Sequence, residues 1–413
     1  MTKHLSHSYN FIKSTYQFYR PLNFKYFSTN VKPPWRVLFF GSDEFSLYSL
    51  NALFKEYQNN NGALLKVLDV VTCSQLNPIW KFSTTHNLTV QKWPPNLVRN
   101  NYDLGVVVSF GNLIPEDLIN IFPLGMLNVH ASLLPRWRGA SPIIYAIANG
   151  DLETGVTIMK INPNKFDTGN ILWQEKCDIP PHIEMPELHE KLGKMGADCL
   201  VETIRHIHDR LENSVTQPQH GITYAPKITP KFARVNWSSS KAINVFNLHR
   251  ALKSVMQPTT TWNSIPVKLY DIDIWDGDQR QSVQPGFVEY SRKNKVLIVE
   301  CADKTWITIK RVGVQGMEPL PFKTVGGLTY DEVNTQIDTF YVDTLPSGSE
   351  SEITMDSSDI EDETLVPTDM EGDLPVSEEE DPSDNIPLSE LQQQWSKGKI
   401  PVWSNVHRPD PLP

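Results

Sequence analysis

Two hydrophobic periodicities divide the chain. From residue 35 to about 212, short and nearly unbroken apolar runs alternate with stretches whose apolar residues recur every three or four positions. Trp35-Arg-Val-Leu-Phe-Phe40 ends at Gly41 and leads into Glu44 to Tyr57, where Phe45, Leu47, Leu50, Leu53 and Phe54 repeat at helical spacing. Lys66 to Thr72, Asp103 to Ser109, Leu127 to His130, Gly155 to Ile161 and Asn170 to Gln174 are further strand candidates. Runs of this kind separated by helical stretches predict an α/β fold, a Rossmann-like open and mostly parallel sheet covered on both faces. A long helix from Glu187 to about Glu212 closes that unit. Beyond residue 227 the pattern changes. An amphipathic helix near Ala242 to Leu252 precedes short strands at Ile265 to Tyr270, Gly286 to Tyr290, Val296 to Cys301 and Trp306 to Val312, and turn signals between them predict a small β-rich second domain.

Charge changes this picture, because the net −10 is unevenly distributed. Residues 1–34 carry five basic residues and no acid. Together with their hydroxyl residues and aromatics, that is the composition of a mitochondrial transit peptide, and it implies a mitochondrial matrix protein. Residues 343–384 carry 16 acids and no Lys or Arg, which predicts a disordered acidic tail within 343–413, with one short helix candidate from Ile386 to Trp403. The body is neutral, but residues 35–226 lean to −4 and residues 227–342 to +4. Arg292-Lys-Asn-Lys295 and Lys310-Arg311 in the second part suit a phosphate backbone. No apolar run approaches the roughly 18 residues of a membrane span. The four cysteines are scattered without paired spacing, so neither a disulfide framework nor a zinc module is expected.

The first strand-to-helix turn, Gly41-Ser-Asp-Glu-Phe45, is neither a dinucleotide fingerprint nor a nucleoside-triphosphate loop. An open α/β sheet nonetheless places its ligand crevice at the carboxyl ends of its strands, near Ser109 and His130 here. Asn128 and His130 lie two apart on a strand and share a face, one offering an amide donor and the other a proton carrier. Asp167 stands in an Asp-Thr-Gly turn after the next strand, a turn that could bring its carboxylate beside the imidazole. His189, His206 and His208 are read as surface residues, because none has a metal-pair spacing.

The block Asn128-Val-His-Ala-Ser-Leu-Leu-Pro-Arg-Trp-Arg-Gly-Ala-Ser-Pro142, followed by Glu153-Thr-Gly-Val-Thr-Ile-Met159 and Phe166-Asp-Thr-Gly169, resembles the 10-formyltetrahydrofolate-dependent formyltransferases. Within them it closely resembles the branch that formylates methionyl-tRNA. The resemblance covers about 35–342 and extends through Thr223-Tyr-Ala-Pro-Lys227 and Ala233-Arg-Val-Asn-Trp237. It implies a catalytic domain over 35–226 and an OB-like barrel over 227–342 that contacts tRNA. The implied substrates are 10-formyltetrahydrofolate and methionyl-tRNA, with no metal, no membrane association and no obligate protein partner. Catalysis falls on Asn128, His130 and Asp167, and folate binding on Ser132, Leu133, Leu134 and Pro135. Formylation of another amine, in an amino sugar or a purine precursor, shares the motif; the transit-like start and the basic second half discriminate against it. A catalytically inactive RNA- or protein-binding relative is argued against by the intact Asn128, His130 and Asp167. The chain departs from the family at Asn162-Pro-Asn-Lys-Phe166, one residue longer than the usual turn and without its glycine, and at Ser42-Asp43, where Thr-Pro is usual. Cys73 to Lys81 holds a single basic residue where bacterial members carry a basic insertion.

Overall fold

The computed structural model describes residues 31–59, 64–99, 101–163, 165–262, 265–314 and 320–321. The expected leader and acidic tail, including the helix candidate at 386–403, therefore lie almost wholly outside the described residues.

A seven-stranded sheet runs in the order β3-β2-β1-β4-β5-β6-β7. Its strands are β1 (Trp35–Gly41), β2 (Leu65–Thr72), β3 (Val90–Lys92), β4 (Leu104–Val108), β5 (Met126–His130), β6 (Glu153–Lys160) and β7 (Ile171–Asp178). The first five pair in parallel, and β6 and β7 are added antiparallel. The sheet is thus mostly parallel, as the runs predict. Every residue of central β4 is buried, because helices cover both of its faces. Bidentate pairing of Arg36 with Asp103 pins the entries of β1 and β4 together.

Helix α1 (Glu44–Gln58) follows β1 through a capping box, in which the Asp43 carboxylate accepts from Ser46 N and the Ser46 hydroxyl from Asp43 N. The chain then adds α2 (Pro78–Thr85), capped by Asn77, and β3, neither of which the apolar pattern announced. Short helices α3 (Glu116–Ile119) and α4 (Pro142–Ala148) flank β5. The single long helix expected at the end of the unit is two helices, α5 (Met185–Arg205) and α6 (Ile207–Glu212). The break falls at His206, whose φ of −114° and ψ of 31° leave the helical region. Helix α5 approaches the sheet closely because it presents Gly193 to Tyr48 and Gly196 to Val129.

The second sheet is antiparallel and curled. Its strands β8 (Thr259–Trp262), β9 (Ile265–Ile274), β10 (Val288–Ser291), β11 (Val296–Glu300), β12 (Trp306–Val314) and β13 (Leu320–Pro321) pair in the order β10-β11-β12-β9-β8, with β13 on β12. Helix α7 (Ala242–Leu252) packs Val245 onto its core beside Trp237, Leu269, Val299 and Ile309. The exposed cations of this half are not equivalent. Arg292, Lys293 and Lys295 occupy the β10–β11 turn, whereas Arg311 is held by Asp271 at 2.5 Å.

Candidate active site

Asn128 and His130 leave one face of β5 at its carboxyl end, as their spacing requires. The following loop is tied at almost every residue. The Ser132 hydroxyl donates to Arg136 O at 2.6 Å, and the Thr157 hydroxyl both donates to Ser132 O and accepts from Leu134 N. Gln174 donates to Leu134 O. Arg136 grips Asp151 through two nitrogens, and the Trp137 indole donates to the same carboxylate at 2.7 Å. These bonds hold Trp137 at a positive φ of 61° and bring Gly139, at φ 122°, against Ala225 O. Only glycine fits at 139, since a Cβ would stand 2.6 Å from that oxygen.

Asp167 comes from the turn after β6. It sits at φ 53°, strained for a residue with a side chain, and is buried. Gly169 is wedged so tightly beneath Lys160 O that no side chain fits. The Asp167 carboxylate meets three groups. Its Oδ2 accepts from Gly139 N at 2.8 Å, and its Oδ1 accepts from Asn128 Nδ2 at 3.3 Å. The same Oδ1 lies 3.6 Å from His130 Nδ1. Asn128, His130 and Asp167, far apart in sequence, are thus brought together. The other imidazole nitrogen, Nε2, lies 2.9 Å from Trp137 O. A carbonyl only accepts, so Nε2 carries a hydrogen, and Nδ1 is the nitrogen free to take or give a proton.

Gln217, buried and unremarked by the sequence reading, locks the arrangement. Its Nε2 donates to Asp167 O and Gly169 O, both at 2.9 Å, while its Oε1 accepts from Arg138 Nη2 at 2.7 Å and Nε at 3.2 Å. One amide therefore fastens the Asp167 turn to the Arg138 loop. No local pattern marks it; it is a lone glutamine between Pro and Thr in an irregular segment.

These groups open into a cavity of about 570 Å³ at the carboxyl ends of β1, β4 and β5, within the usual size of a small-molecule site. Phe110, Leu113, Ile114 and Ile161 supply an apolar wall fit for a flat ring system, and Asp43, Ser109 and His189 a second polar corner. His189 is therefore not a surface residue. Because α5 packs over α1, its ring lies against Phe45 and Tyr48, with centroids 5.3 and 6.3 Å away. That packing joins residues distant in sequence, so helical spacing alone cannot reveal it. Burial pushes the His189 pKa below its ordinary value, opposed by Asp43. Burial likewise pushes the Asp43 carboxyl above its usual range, against the Ser46 N–H, His189 and a Ser109 hydrogen bond. His206 and His208 are exposed, on Glu202 and on Val31 O respectively.

Ser132 and Leu134 are buried and Leu133 and Pro135 half-buried; none of the four belongs to the cavity wall. Among the described residues no group of three or more His, Cys, Asp or Glu is placed to hold a metal ion, and no helix is long and apolar enough to cross a membrane.

A family model described as Formyl transferase matches residues 37–204, and one described as Formyl transferase, C-terminal domain, matches residues 227–325. The chain is 39% identical over 292 residues to the mitochondrial methionyl-tRNA formyltransferase of Rattus norvegicus, covering 68% of this chain and 75% of the relative. The mitochondrial methionyl-tRNA formyltransferase of Homo sapiens matches at 38% over the same shares. The methionyl-tRNA formyltransferase of Staphylococcus aureus (strain MW2) matches at 31% over 68% of this chain and 92% of its own. Among solved structures, a sugar 3N-formyl transferase with dTDP and 5-N-formyl-THF superposes with a TM-score of 0.51 at 19% identity, covering 68% of this chain and 98% of that one. An N-formyltransferase from Helicobacter canadensis in complex with folinic acid and dTDP-3-aminofucose gives 0.52 at 17%, over 66% and 98%. At these identities the structural likeness is one of fold.

Proposed function

The chain belongs to the formyl transferase family, and from that premise we propose that it transfers the formyl group of 10-formyltetrahydrofolate to the α-amino group of methionyl-tRNA in the mitochondrial matrix. The observation that carries the reading is the convergence of an amide, an imidazole and a carboxylate on one cavity, in a chain 39% identical to a mitochondrial methionyl-tRNA formyltransferase. The cavity suits the co-substrate: its apolar wall accepts a fused ring, and its catalytic corner is polar.

In the transfer, the neutral α-amine attacks the formyl carbon. The new N–C bond forms, the carbonyl oxygen gains charge, and collapse breaks the bond to N10 of the folate. One proton passes from the amine to that departing nitrogen. Asn128 Nδ2 uses one hydrogen on Asp167, and its second hydrogen has no protein partner among the described residues. It is positioned to donate to the oxyanion. His130 Nδ1 is the free ring nitrogen and carries the proton between amine and leaving group. Asp167, fixed by Gly139 N, orients the imidazole. Ser132 to Pro135 act on folate through the path of the loop they anchor. The second domain, from about residue 227, contacts the phosphate backbone with the exposed cations of its β10–β11 turn.

The test is incubation of the full chain with 10-formyltetrahydrofolate and methionyl-tRNA, scoring formyl-methionine on the tRNA. Formylation is the expected result. No transfer, or transfer to an amino sugar instead, overturns the reading.

A further inference from the structure

Phe166 is 59% exposed, although the next residue, Asp167, is 8% exposed and carries three of the site's contacts. Leaving a phenylalanine in water forgoes a large apolar gain, and the local backbone explains why it stays there. The positive φ of Asp167, the wedged Gly169 and the Gln217 clamp fix the turn from one side, which holds the preceding side chain outward at the rim of the cavity. Lys165 stands beside it, exposed, lining the same cavity and in no ion pair among the described residues. An outward aromatic ring next to an unpaired ammonium is the combination that binds a single-stranded nucleotide, ring on base and cation on phosphate.

Resting on the function proposed above, we propose that Phe166 is the stacking platform for the 3′-terminal base of the acceptor tRNA, with Lys165 on the adjoining phosphate. The position follows from the chemistry of the acceptor. Only the methionine Cα and the ester carbonyl separate the reacting nitrogen from the terminal ribose, so an amine held beside the His130–Asp167 pair puts that nucleoside at the rim where Phe166 stands. Charge argues for a dedicated device there. Residues 35–226 are net negative, so the overall field of the catalytic half does not draw a polyanion to the cavity, and local stacking plus one cation must do it. The residues involved belong to the stretch where this chain departs from the usual family turn, which makes the platform a property of this loop. The benzoyl ring and glutamate carboxylates of the folate share the same aromatic and anionic chemistry, so the two substrates must be varied separately.

The experiment is steady-state formylation by the full chain, with methionyl-tRNA varied at saturating 10-formyltetrahydrofolate and then the reverse. Phe166→Ala and Phe166→Leu are expected to raise KM for methionyl-tRNA about 5–150-fold, the ordinary worth of one base on an aromatic ring. Phe166→Trp should stay within about two-fold of wild type, and KM for the folate should move by less than about two-fold in all three. Lys165→Gln should raise KM for methionyl-tRNA and flatten its dependence on salt by about one phosphate contact. An unchanged KM for methionyl-tRNA in Phe166→Ala overturns the proposal, as does a rise confined to the folate. If wild type does not formylate methionyl-tRNA, the functional reading falls; if wild type does and Phe166→Ala matches it, only the platform falls.

Discussion

Gln217 offers the sharpest separation of positioning from stability. Its amide donates to two backbone oxygens of the Asp167 turn and accepts from two nitrogens of Arg138, all from a buried position. Replacing it with alanine removes two neutral hydrogen bonds, worth about 0.5–1.5 kcal/mol each, and a charge-assisted acceptor worth about 1.5–3 kcal/mol. A loss of about 2.5–6 kcal/mol in unfolding free energy is expected, because the orphaned carbonyls relax toward water only in part. The catalytic effect has a different origin. Asp167 holds a left-handed conformation costing about 1–3 kcal/mol, which persists only while its surroundings impose it. Once Gln217 is gone the turn relaxes, and a carboxylate displaced by about 1 Å is expected to cost roughly 10²-fold in kcat. Gln217→Glu separates the two effects. It keeps the volume and the Arg138 contact, yet it sets carboxylate oxygens against Asp167 O and Gly169 O. Stability should fall less than in Gln217→Ala, while kcat should fall at least as far. The assays are urea unfolding and kcat with both substrates saturating. A Gln217→Glu enzyme with wild-type kcat would refute the clamp.

Three further outcomes are expected. His130→Ala and Asp167→Asn should each lower turnover by roughly 10²–10⁴-fold with the fold retained, and Asn128→Ala by a comparable factor, read as kcat/KM beside thermal melts. Gly139→Ala forces a Cβ within 2.6 Å of Ala225 O at a φ of 122°, and relieving that clash displaces the backbone N–H that fixes Asp167; stability should drop by about 1–3 kcal/mol or more, and a variant with wild-type stability and turnover would show that the loop is looser than described. Burial, aided by Lys253, holds the His249 pKa below 6.5. The unfolded chain therefore takes up a proton there before the folded one, so the stability present above that pH is lost as pH falls below it. Urea midpoints from pH 8 to 5.5 should slope less in His249→Asn than in wild type.

What the sequence made legible follows the range of the interactions. Strands β1, β4 and β5 are buried apolar runs whose pattern is local, and α7 was bounded correctly by its apolar period and flanking polar residues. The shared face of Asn128 and His130 is likewise local, set by the pleat. Asp167 was placed through motif resemblance rather than periodicity. Everything that depends on one element lying on another was hidden. His189 reaches the cavity only because Gly193 lets α5 settle on Tyr48, and Gln217 matters only because its segment crosses two loops at once. The helix break at His206 was missed because the apolar repeat runs through it, whereas the backbone does not.

The cavity lies in the anionic half and holds Asp43 and Asp167, so a polyanion gains nothing from approaching it by field alone. The cations free to meet a phosphate backbone are fewer than composition suggests, because Arg311 is committed to Asp271. The exposed cations of this half include Arg292, Lys293 and Lys295 at the tip of the β10–β11 turn and Lys310 on β12, with Lys227, Lys231, Arg234, Lys268 and Lys304 elsewhere on its surface. On the function proposed above, contacts to a tRNA body at such a tip would orient the molecule and weaken with salt, without reading any feature of the amino acid it carries. Phe45, Ile144 and Met185 line the cavity beside the polar pair Asp43 and His189, so an aminoacyl end bound as proposed would meet them there. An apolar wall of this kind favours a thioether side chain over a polar one of similar size, because the polar one loses its hydration on entering.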